Sequence, residues 1–308
     1  MNDEMMRAAA FAEFGGPEVL RVMELPAPQA GPGQVRVRVR TAGVQPFDAA
    51  VRAGWTPPGV TGGLPRIPGN EFAGVVDQVG EGVTGVTAGA EVLGFSLLRC
   101  YAEYVVVDAG DVTPKPASMP WEVAGSLTAG AQTAELALEG LAVTEGDTLL
   151  VHAAAGAVGT VAVQVAGMRG ATVIGTAREE NHAYLRDLGA IPVAYGAGLA
   201  DRVRALAPGG VDAALDGAGG DALEVSLELV KDRDRILTLV EHDRAAELGI
   251  KVTRGTRSAE RLARYAALYA EGRLKFPVRG TYPLERAADA HREIETRHGA
   301  GKIVITVS

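Results

Sequence analysis

The sequence predicts a mixed α/β protein in two parts, a compact antiparallel β part and a doubly wound parallel sheet. Three observations predict it. Residues 6–116 are rich in Gly and Pro and carry short valine-heavy strands, such as Gln34-Val-Arg-Val-Arg-Val-Arg40, Phe72-Ala-Gly-Val-Val-Asp-Gln-Val79 and Tyr104-Val-Val-Val107. From about residue 121, helical and strand patterns alternate, as the crossovers of a parallel sheet require. Within that second region, Asp147-Thr-Leu-Leu-Val-His-Ala-Ala-Ala-Gly-Ala-Val-Gly159 reads as a buried strand, a turn of small residues and the start of a helix.

Taken in order, the strands of the first region are separated by the turn signals Gly31-Pro-Gly33, Pro57-Pro-Gly59 and Pro68-Gly69. Helical patterns follow near 121–140, 157–169, 179–189, 199–206, 220–230 and 258–272, with strands near 148–152, 171–176, 191–194, 211–215 and 235–240. Gly301-Lys-Ile-Val-Ile-Thr-Val307 is a strand again and is expected to return to the β part. The expected domains are therefore 1–120 with 274–308, and 121–273. Arg36, Arg38 and Arg40 share one face of an alternating strand and are read as a solvated sheet face. His291 and His298 stand among Arg and Glu and are read as surface residues.

Composition narrows the function. A chain of 308 residues, 47% of them hydrophobic, can bury two cores and is not disordered. No apolar run approaches the ~20 residues of a membrane span, and the opening Met1-Asn-Asp-Glu-Met-Met-Arg7 lacks the apolar stretch of a signal peptide. The single cysteine, Cys100, excludes an intrachain disulfide and suits a reducing compartment. With no histidine nearby in sequence it is read as a packed thiol, not a nucleophile. A formal charge of −8 disfavours generic binding to nucleic acid but leaves room for a local anion site. The expectation is a cytoplasmic protein that acts on a small molecule, with neither nucleic acid nor membrane as partner.

A turn made only of Ala and Gly lets a ligand approach the backbone, and the following helix aims unpaired N–H groups and its positive dipole end at it. Ala154, Ala155, Gly156, Ala157, Val158 and Gly159 occupy the six positions of the Gly-x-Gly-x-x-Gly dinucleotide fingerprint, with Ala154 in place of its first glycine. The next strand ends at Thr176-Ala177-Arg178, which puts a guanidinium rather than an acid beside the adenosine ribose, and so favours NADPH over NADH. Glu179 has the spacing of an NAD-binding acid but falls in the first turn of a helix, where acids are common. A solvated surface role for Arg178 is the alternative. Gly210-Val-Asp-Ala-Ala-Leu-Asp-Gly-Ala-Gly-Gly220 is a second strand entering a glycine-rich turn, so Asp216 and Gly217 either face the nicotinamide or merely cap their strand. Leu239 and Val240 end the next strand at the same crevice.

Several segments, in this order, resemble the medium-chain dehydrogenase/reductase superfamily, in its zinc-independent quinone oxidoreductase (zeta-crystallin-like) branch. They are Phe14-Gly-Gly-Pro-Glu-Val-Leu20, Ala42-Gly-Val-Gln-Pro-Phe-Asp48, Ile67-Pro-Gly-Asn-Glu-Phe-Ala-Gly-Val-Val76, Tyr101-Ala-Glu-Tyr104, Thr133 within Gly130-Ala-Gln-Thr-Ala134, the phosphate turn, and Gly301-Lys-Ile-Val. The resemblance covers almost the whole chain. It implies a GroES-like fold for the first domain, a Rossmann fold for the second and an active site in the cleft between them. It also places Thr133 at the cofactor, Tyr195 beside the 2′-phosphate, and two copies of the chain in a homodimer joined through their nucleotide-domain sheets. The apolar strand Arg235-Ile-Leu-Thr-Leu-Val240 is the only sequence sign of such an edge, and core burial explains it equally well. The basic segment Lys251-Val-Thr-Arg-Gly-Thr-Arg257, Lys231-Asp-Arg-Asp-Arg235 and Glu180 depart from the family pattern.

Zinc-dependent members place Cys at the position of Val44 or Gln45 and His at Asn70, and add a four-cysteine lobe. One cysteine assembles neither set, so no metal is expected. Alcohol oxidation then lacks a Lewis acid, whereas conjugate reduction needs only a donor for the charge gained by a carbonyl oxygen. Gln45 and Asn70 are candidates for that donor or are structural amides; Tyr101 or solvent is the candidate proton source. The expected activity is an NADPH-dependent, zinc-independent reduction of quinones or α,β-unsaturated carbonyls. A pathway-specific biosynthetic enzyme, redox-neutral in one version, and a nucleotide-binding protein without turnover are the alternatives.

Overall fold

The small-residue turn follows the central strand of a six-stranded parallel sheet, the core of one of the two units into which the chain divides. The computed structural model describes residues 4–308. The nucleotide unit comprises residues 130–256 and 274–276. Its strands lie in the order Ile191–Ala194, Thr172–Ala177, Thr148–Val151, Ala213–Asp216, Ile236–Thr238 and Lys251–Val252, so the winding reverses beside Thr148–Val151. Such a reversal point is where open α/β sheets bind ligands. Leu150 pairs with Ile174 on one side and Ala214 on the other, and Ala214 pairs with Ile236. This buried row packs with Leu199, Val203 and Leu223 from the covering helices. Strands covered on both faces read as continuous apolar runs, which is why they were legible.

One detail differs from the sequence reading. Ile236–Thr238 is not the sheet edge, because Lys251–Val252 pairs outside it, with Leu237 opposite Lys251. A two-residue strand carries no periodicity to read.

The β-rich unit comprises residues 4–129, 257–273 and 277–308. Its seven-stranded sheet runs Val278–Pro283, Lys302–Thr306, Gln34–Val44, Glu71–Val79, Glu91–Phe95 and Val112–Pro114, with Tyr104–Asp108 also paired to Gln34–Val44. Lys302–Thr306 joins it antiparallel, Ile303 opposite Val44. Val35, Val37 and Val39 enter a core with Phe72, Val76, Val105 and Ile303. A separate ribbon pairs Met5–Ala10 with Arg21–Pro26. No described helix is long and apolar enough to cross a membrane.

The unit boundaries differ from those expected at 120 and 273. Helix Ala259–Ala270 belongs to the β-rich unit, where Leu262, Tyr265 and Ala266 are buried and the helix packs on Val112–Pro114. Trp121–Ala124 likewise stays there, its Trp121 carbonyl accepting from Thr41 Oγ1 at 2.7 Å. A helical pattern gives the buried face but not the sheet it covers. Arg36 is a second correction: Arg38 and Arg40 are exposed, but Arg36 is buried. The strand register shifts beside it, and its guanidinium meets Asp77 at 2.6 Å and Glu4 at 2.7 Å while lying over Tyr104.

Candidate functional site

The turn after Thr148–Val151 is held from the neighbouring strand. Ala154 N donates to the Thr176 carbonyl at 3.1 Å, and Ala153 N to Thr176 Oγ1 at 3.3 Å. Gly156 N closes the turn on the Ala153 carbonyl at 2.9 Å, and helix Ala157–Met168 starts immediately after it. Gly156 has no side chain to cap the helix, and the N–H groups of Ala157, Val158 and Gly159, in the first turn, have no acceptor within the helix. Gly156, Ala157 and Val158 are partly exposed, whereas Ala155 and Gly159 are buried. A Cβ on Gly159 would stand 2.5 Å from the Ala153 carbonyl oxygen and 2.6 Å from Ala154 Cα. Glycine there lets the helix close on the turn, as a pyrophosphate cradle needs.

At the tip of Thr172–Ala177, Thr176 is buried and serves the turn, while Arg178 reaches solvent. Arg178 Nε donates to the Tyr195 hydroxyl at 3.0 Å, so the structure brings these two residues together. The Glu180 carboxylate lies 3.9 Å from the same guanidinium. Glu179 heads a short 3-10 turn, Glu179–Asn181.

The second glycine-rich turn is built around Asp216. Its Oδ1 accepts from Ala218 N at 2.9 Å and Gly219 N at 2.8 Å, and its Oδ2 from Thr238 Oγ1 at 2.8 Å. The buried carboxylate therefore fastens the turn to the next strand and offers a ligand only the backbone around Gly217. Leu239 N donates to the Asp216 carbonyl at 2.8 Å; Leu239 is half-buried and Val240 exposed. Thr133 is partly buried in helix Leu127–Gly140. Beneath the turns, buried His152 faces Ser226 Oγ at 3.0 Å, and burial pushes its pKa down to about 4. Sequence reasoning missed Thr253, whose buried hydroxyl has no hydrogen-bond partner among the described residues. The glycine-floored helix start fits a dinucleotide.

The β-rich unit gathers a buried acid–base cluster. Asp48 stands in the first turn of helix Pro46–Arg52, where its Oδ2 accepts from Gln45 N at 2.9 Å. The same oxygen accepts from the Tyr101 hydroxyl at 2.8 Å, and Oδ1 from Gly69 N at 3.1 Å. Burial outweighs these donors and raises the Asp48 pKa to about 6. Next to it Glu71 meets Lys302 Nζ at 2.7 Å, takes Ala129 N at 2.6 Å and receives the Gln45 side-chain amide. Lys302, 2% exposed, also donates to the Val44 carbonyl at 3.2 Å. Burial lowers the Lys302 pKa and Glu71 counters it.

The three pocket candidates thus sit in or beside one network. Tyr101 is fully buried and gives its hydroxyl to Asp48, so it is not placed to protonate a ligand. Gln45 spends its amide nitrogen on Glu71. Asn70 is 5% exposed; its carbonyl accepts from Arg257 Nη1 at 2.8 Å, and its side-chain Oδ1 is buried without a partner among the described residues. Asp48, Glu71 and Lys302 lay inside the segments read from the sequence, but their pairing was not seen. The available signal was a charged residue bordering an apolar strand. Cys100 is buried with its pKa raised by that burial, as a packed thiol should be.

His291 corrects the surface reading. It is fully buried, its Nδ1 lies 3.1 Å from Arg52 Nη1, its ring stands edge-on to Tyr101, and burial pushes its pKa down to about 3. The Arg52 partner comes from a distant helix, which a local charge pattern does not reveal. His298 is exposed. As for metal, Val44, Gln45 and Asn70 supply neither thiolate nor imidazole, and among the described residues no three His, Cys, Asp or Glu side chains are grouped to hold an ion. The donor set does not fit zinc.

Residues 31–117 match the family model described as the alcohol dehydrogenase GroES-like domain, and residues 188–305 the one described as zinc-binding dehydrogenase. The chain is 31% identical to the quinone oxidoreductase of Rattus norvegicus, over 98% of this chain and 97% of that protein. It is similar to a solved NAD-dependent alcohol dehydrogenase, with a TM-score of 0.87 and 32% identity over 98% of this chain and 100% of that one. It is also similar to a mycobacterial protein complexed with NADPH, with a TM-score of 0.85 and 31% identity over 98% and 100%.

Proposed function

The chain belongs to the medium-chain dehydrogenase/reductase superfamily, in its quinone oxidoreductase-like branch, and we propose that it uses NADPH to reduce a quinone or an α,β-unsaturated carbonyl. Membership makes it an oxidoreductase with a GroES-like unit and a Rossmann unit. The observation that carries the cofactor choice is the Arg178–Tyr195 pair at the strand tip. A guanidinium steadied by a phenol matches the charge and geometry of a 2′-phosphate.

The bound cofactor supplies the hydride. The N–H groups at the start of helix Ala157–Met168 hold the pyrophosphate, and Thr133, Gly217, Leu239, Val240 and the Thr253 hydroxyl border the rest of the dinucleotide. Asn70 is the amide proposed to meet the substrate's carbonyl oxygen, with Gln45 fixed on Glu71 beside it and solvent as the proton source. The reaction needs no zinc. The same reading makes the protein a cytoplasmic homodimer, with Lys251–Val252 as the sheet edge open to a second copy; light scattering gives a dimer mass if this holds and a monomer mass if it does not.

Cofactor titrations of the wild type and Arg178→Ala, with turnover on a panel of quinones and enones, test the proposal. The substitution is expected to weaken NADPH about 10- to 150-fold, the range for a lost charge-assisted hydrogen bond, and to leave NADH within about twofold. Equal losses for both cofactors, or a wild type that prefers NADH because Glu180 repels the phosphate, would refute it.

A further inference from the structure

Arg257 lies in the basic segment that departs from the family pattern, and the fold turns it into the β-rich unit. Nη1 donates to the Asn70 carbonyl at 2.8 Å, which is the only hydrogen bond that Arg257 makes among the described residues. It forms no ion pair with them. The carboxylates nearest in charge are already engaged: Glu71 with Lys302, Gln45 and Ala129, and Asp48 with Tyr101, Gln45 and Gly69. Four of its five N–H donors thus have no acceptor among the described residues.

The residue that anchors this guanidinium has an unmet need of its own. The Asn70 side chain makes no hydrogen bond among the described residues, and its Oδ1 is buried. A half-turn of the amide exchanges its oxygen and nitrogen, so the buried position can hold an N–H₂ that a carboxylate satisfies. Because Arg257 is tied to the Asn70 main chain, the planar fork and the amide are neighbours. Buried polar groups in folded proteins are nearly always paired, so the unpaired Asn70 side chain, next to a half-buried guanidinium with N–H groups to spare, marks a place for a ligand. The N–H edge of a guanidinium fits the two oxygens of a carboxylate, and an amide N–H₂ adds a further donor.

We infer that Arg257, with one N–H of the Asn70 amide whose other N–H meets the carbonyl oxygen, receives a carboxylate carried by the substrate, which narrows the substrate class to acidic carbonyl compounds. This rests on the proposed function only in naming the ligand as substrate; the anion receiver stands on the geometry. A lone oxygen that gains charge during reaction would use the same donors, so the test must separate a charge present before reaction from one that develops in it.

Calorimetric titration of levulinate and of its methyl ester, with the NADP⁺-saturated protein and with the protein alone, makes that separation without turnover. The wild type is expected to bind the acid more tightly than the ester. Arg257→Gln should weaken the acid about 10- to 150-fold, against less than about threefold for the ester. Arg257→Lys, which keeps the charge but loses the fork, should fall between. Wild-type binding of neither compound, or of both equally, would overturn the inference, as would a parallel loss of both in Arg257→Gln. A loss confined to NADP⁺ would assign Arg257 to the cofactor and overturn it too. Retained NADP⁺ affinity and circular dichroism show that the variants are folded. If NADP⁺ does not bind the wild type, the cofactor reading fails on its own, while the titrations of the protein alone still decide the role of Arg257. With acetylacrylate and its methyl ester as reducible pair, a carboxylate receiver raises KM for the acid in Arg257→Gln, whereas a receiver of developing charge lowers kcat for both and refutes the proposal.

Discussion

Replacing Asp48 with Asn tests the buried cluster through proton linkage. Burial raises this carboxyl from 3.8 to about 6, even though one hydroxyl and two backbone amides donate to it. Between those values the unfolded chain has lost the proton and the folded chain keeps it. The folded state then binds more protons than the unfolded one, so stability falls as pH rises through the window. A shift of about two units at about 1.36 kcal/mol each makes the loss roughly 3 kcal/mol. His152 and His291 act with the opposite sign: held down to about 4 and about 3, they refuse a proton that the unfolded chain accepts below 6.5, and stability rises with pH up to that point. Subtracting wild type from Asp48→Asn at each pH cancels the histidine contributions. The fixed cost of disturbed hydrogen bonds only offsets the curve. Urea unfolding followed by circular dichroism should therefore show the variant gaining roughly 3 kcal/mol on the wild type between about pH 4 and about pH 7. A flat difference, or one that falls with rising pH, would refute the reasoning; a fall would mean that the three donors hold Asp48 below its ordinary value.

Lys302→Met leaves the Glu71 carboxylate buried without its cation and should cost about 3–5 kcal/mol in thermal or chemical unfolding. Adding Glu71→Gln should recover much of that loss, and no recovery would deny the pairing. Gly159→Ala puts a Cβ 2.5 Å from a backbone oxygen, so the turn must open. NADPH affinity should fall more than about tenfold, and an unchanged titration would disprove the cradle. Turnover should survive a strong chelator, and metal analysis that finds one tightly held zinc per chain would overturn the reading of Val44, Gln45 and Asn70.

The features legible in the sequence are those that local spacing specifies. The small-residue turn, the strand before it and the arginine at the next strand's tip lie within one continuous segment, so composition and period sufficed. The resemblance supplied Tyr195, and the structure sets its hydroxyl on Arg178. The illegible parts depend on partners far away in the chain. Tyr101 and Asp48 are 53 residues apart, Arg36 and Asp77 are 41, and Arg52 and His291 are 239. A sequence shows that such a residue can ionise; only the fold shows what neutralises it. The same limit moved helix Ala259–Ala270 into the β-rich unit, since amphipathic period names a face and not the neighbour it will meet.

Lys302–Thr306 lies inside the seven-stranded sheet, between Val278–Pro283 and Gln34–Val44, and Lys302 contacts the Val44 carbonyl 258 residues away. On a ribosome adding about 5–20 residues per second, Thr41–Val44, the stretch that Lys302–Thr306 pairs, waits on the order of ten to fifty seconds for its neighbour. Over that interval its edge is open to other nascent chains, and Glu71 has no ammonium beside it. Residues 130–256 emerge as a single stretch before Lys302–Thr306, so most of the Rossmann unit can collapse while the β-rich unit is still incomplete. The open edge therefore needs shielding for as long as translation separates the two strands, a demand that the stability of the finished sheet does not remove.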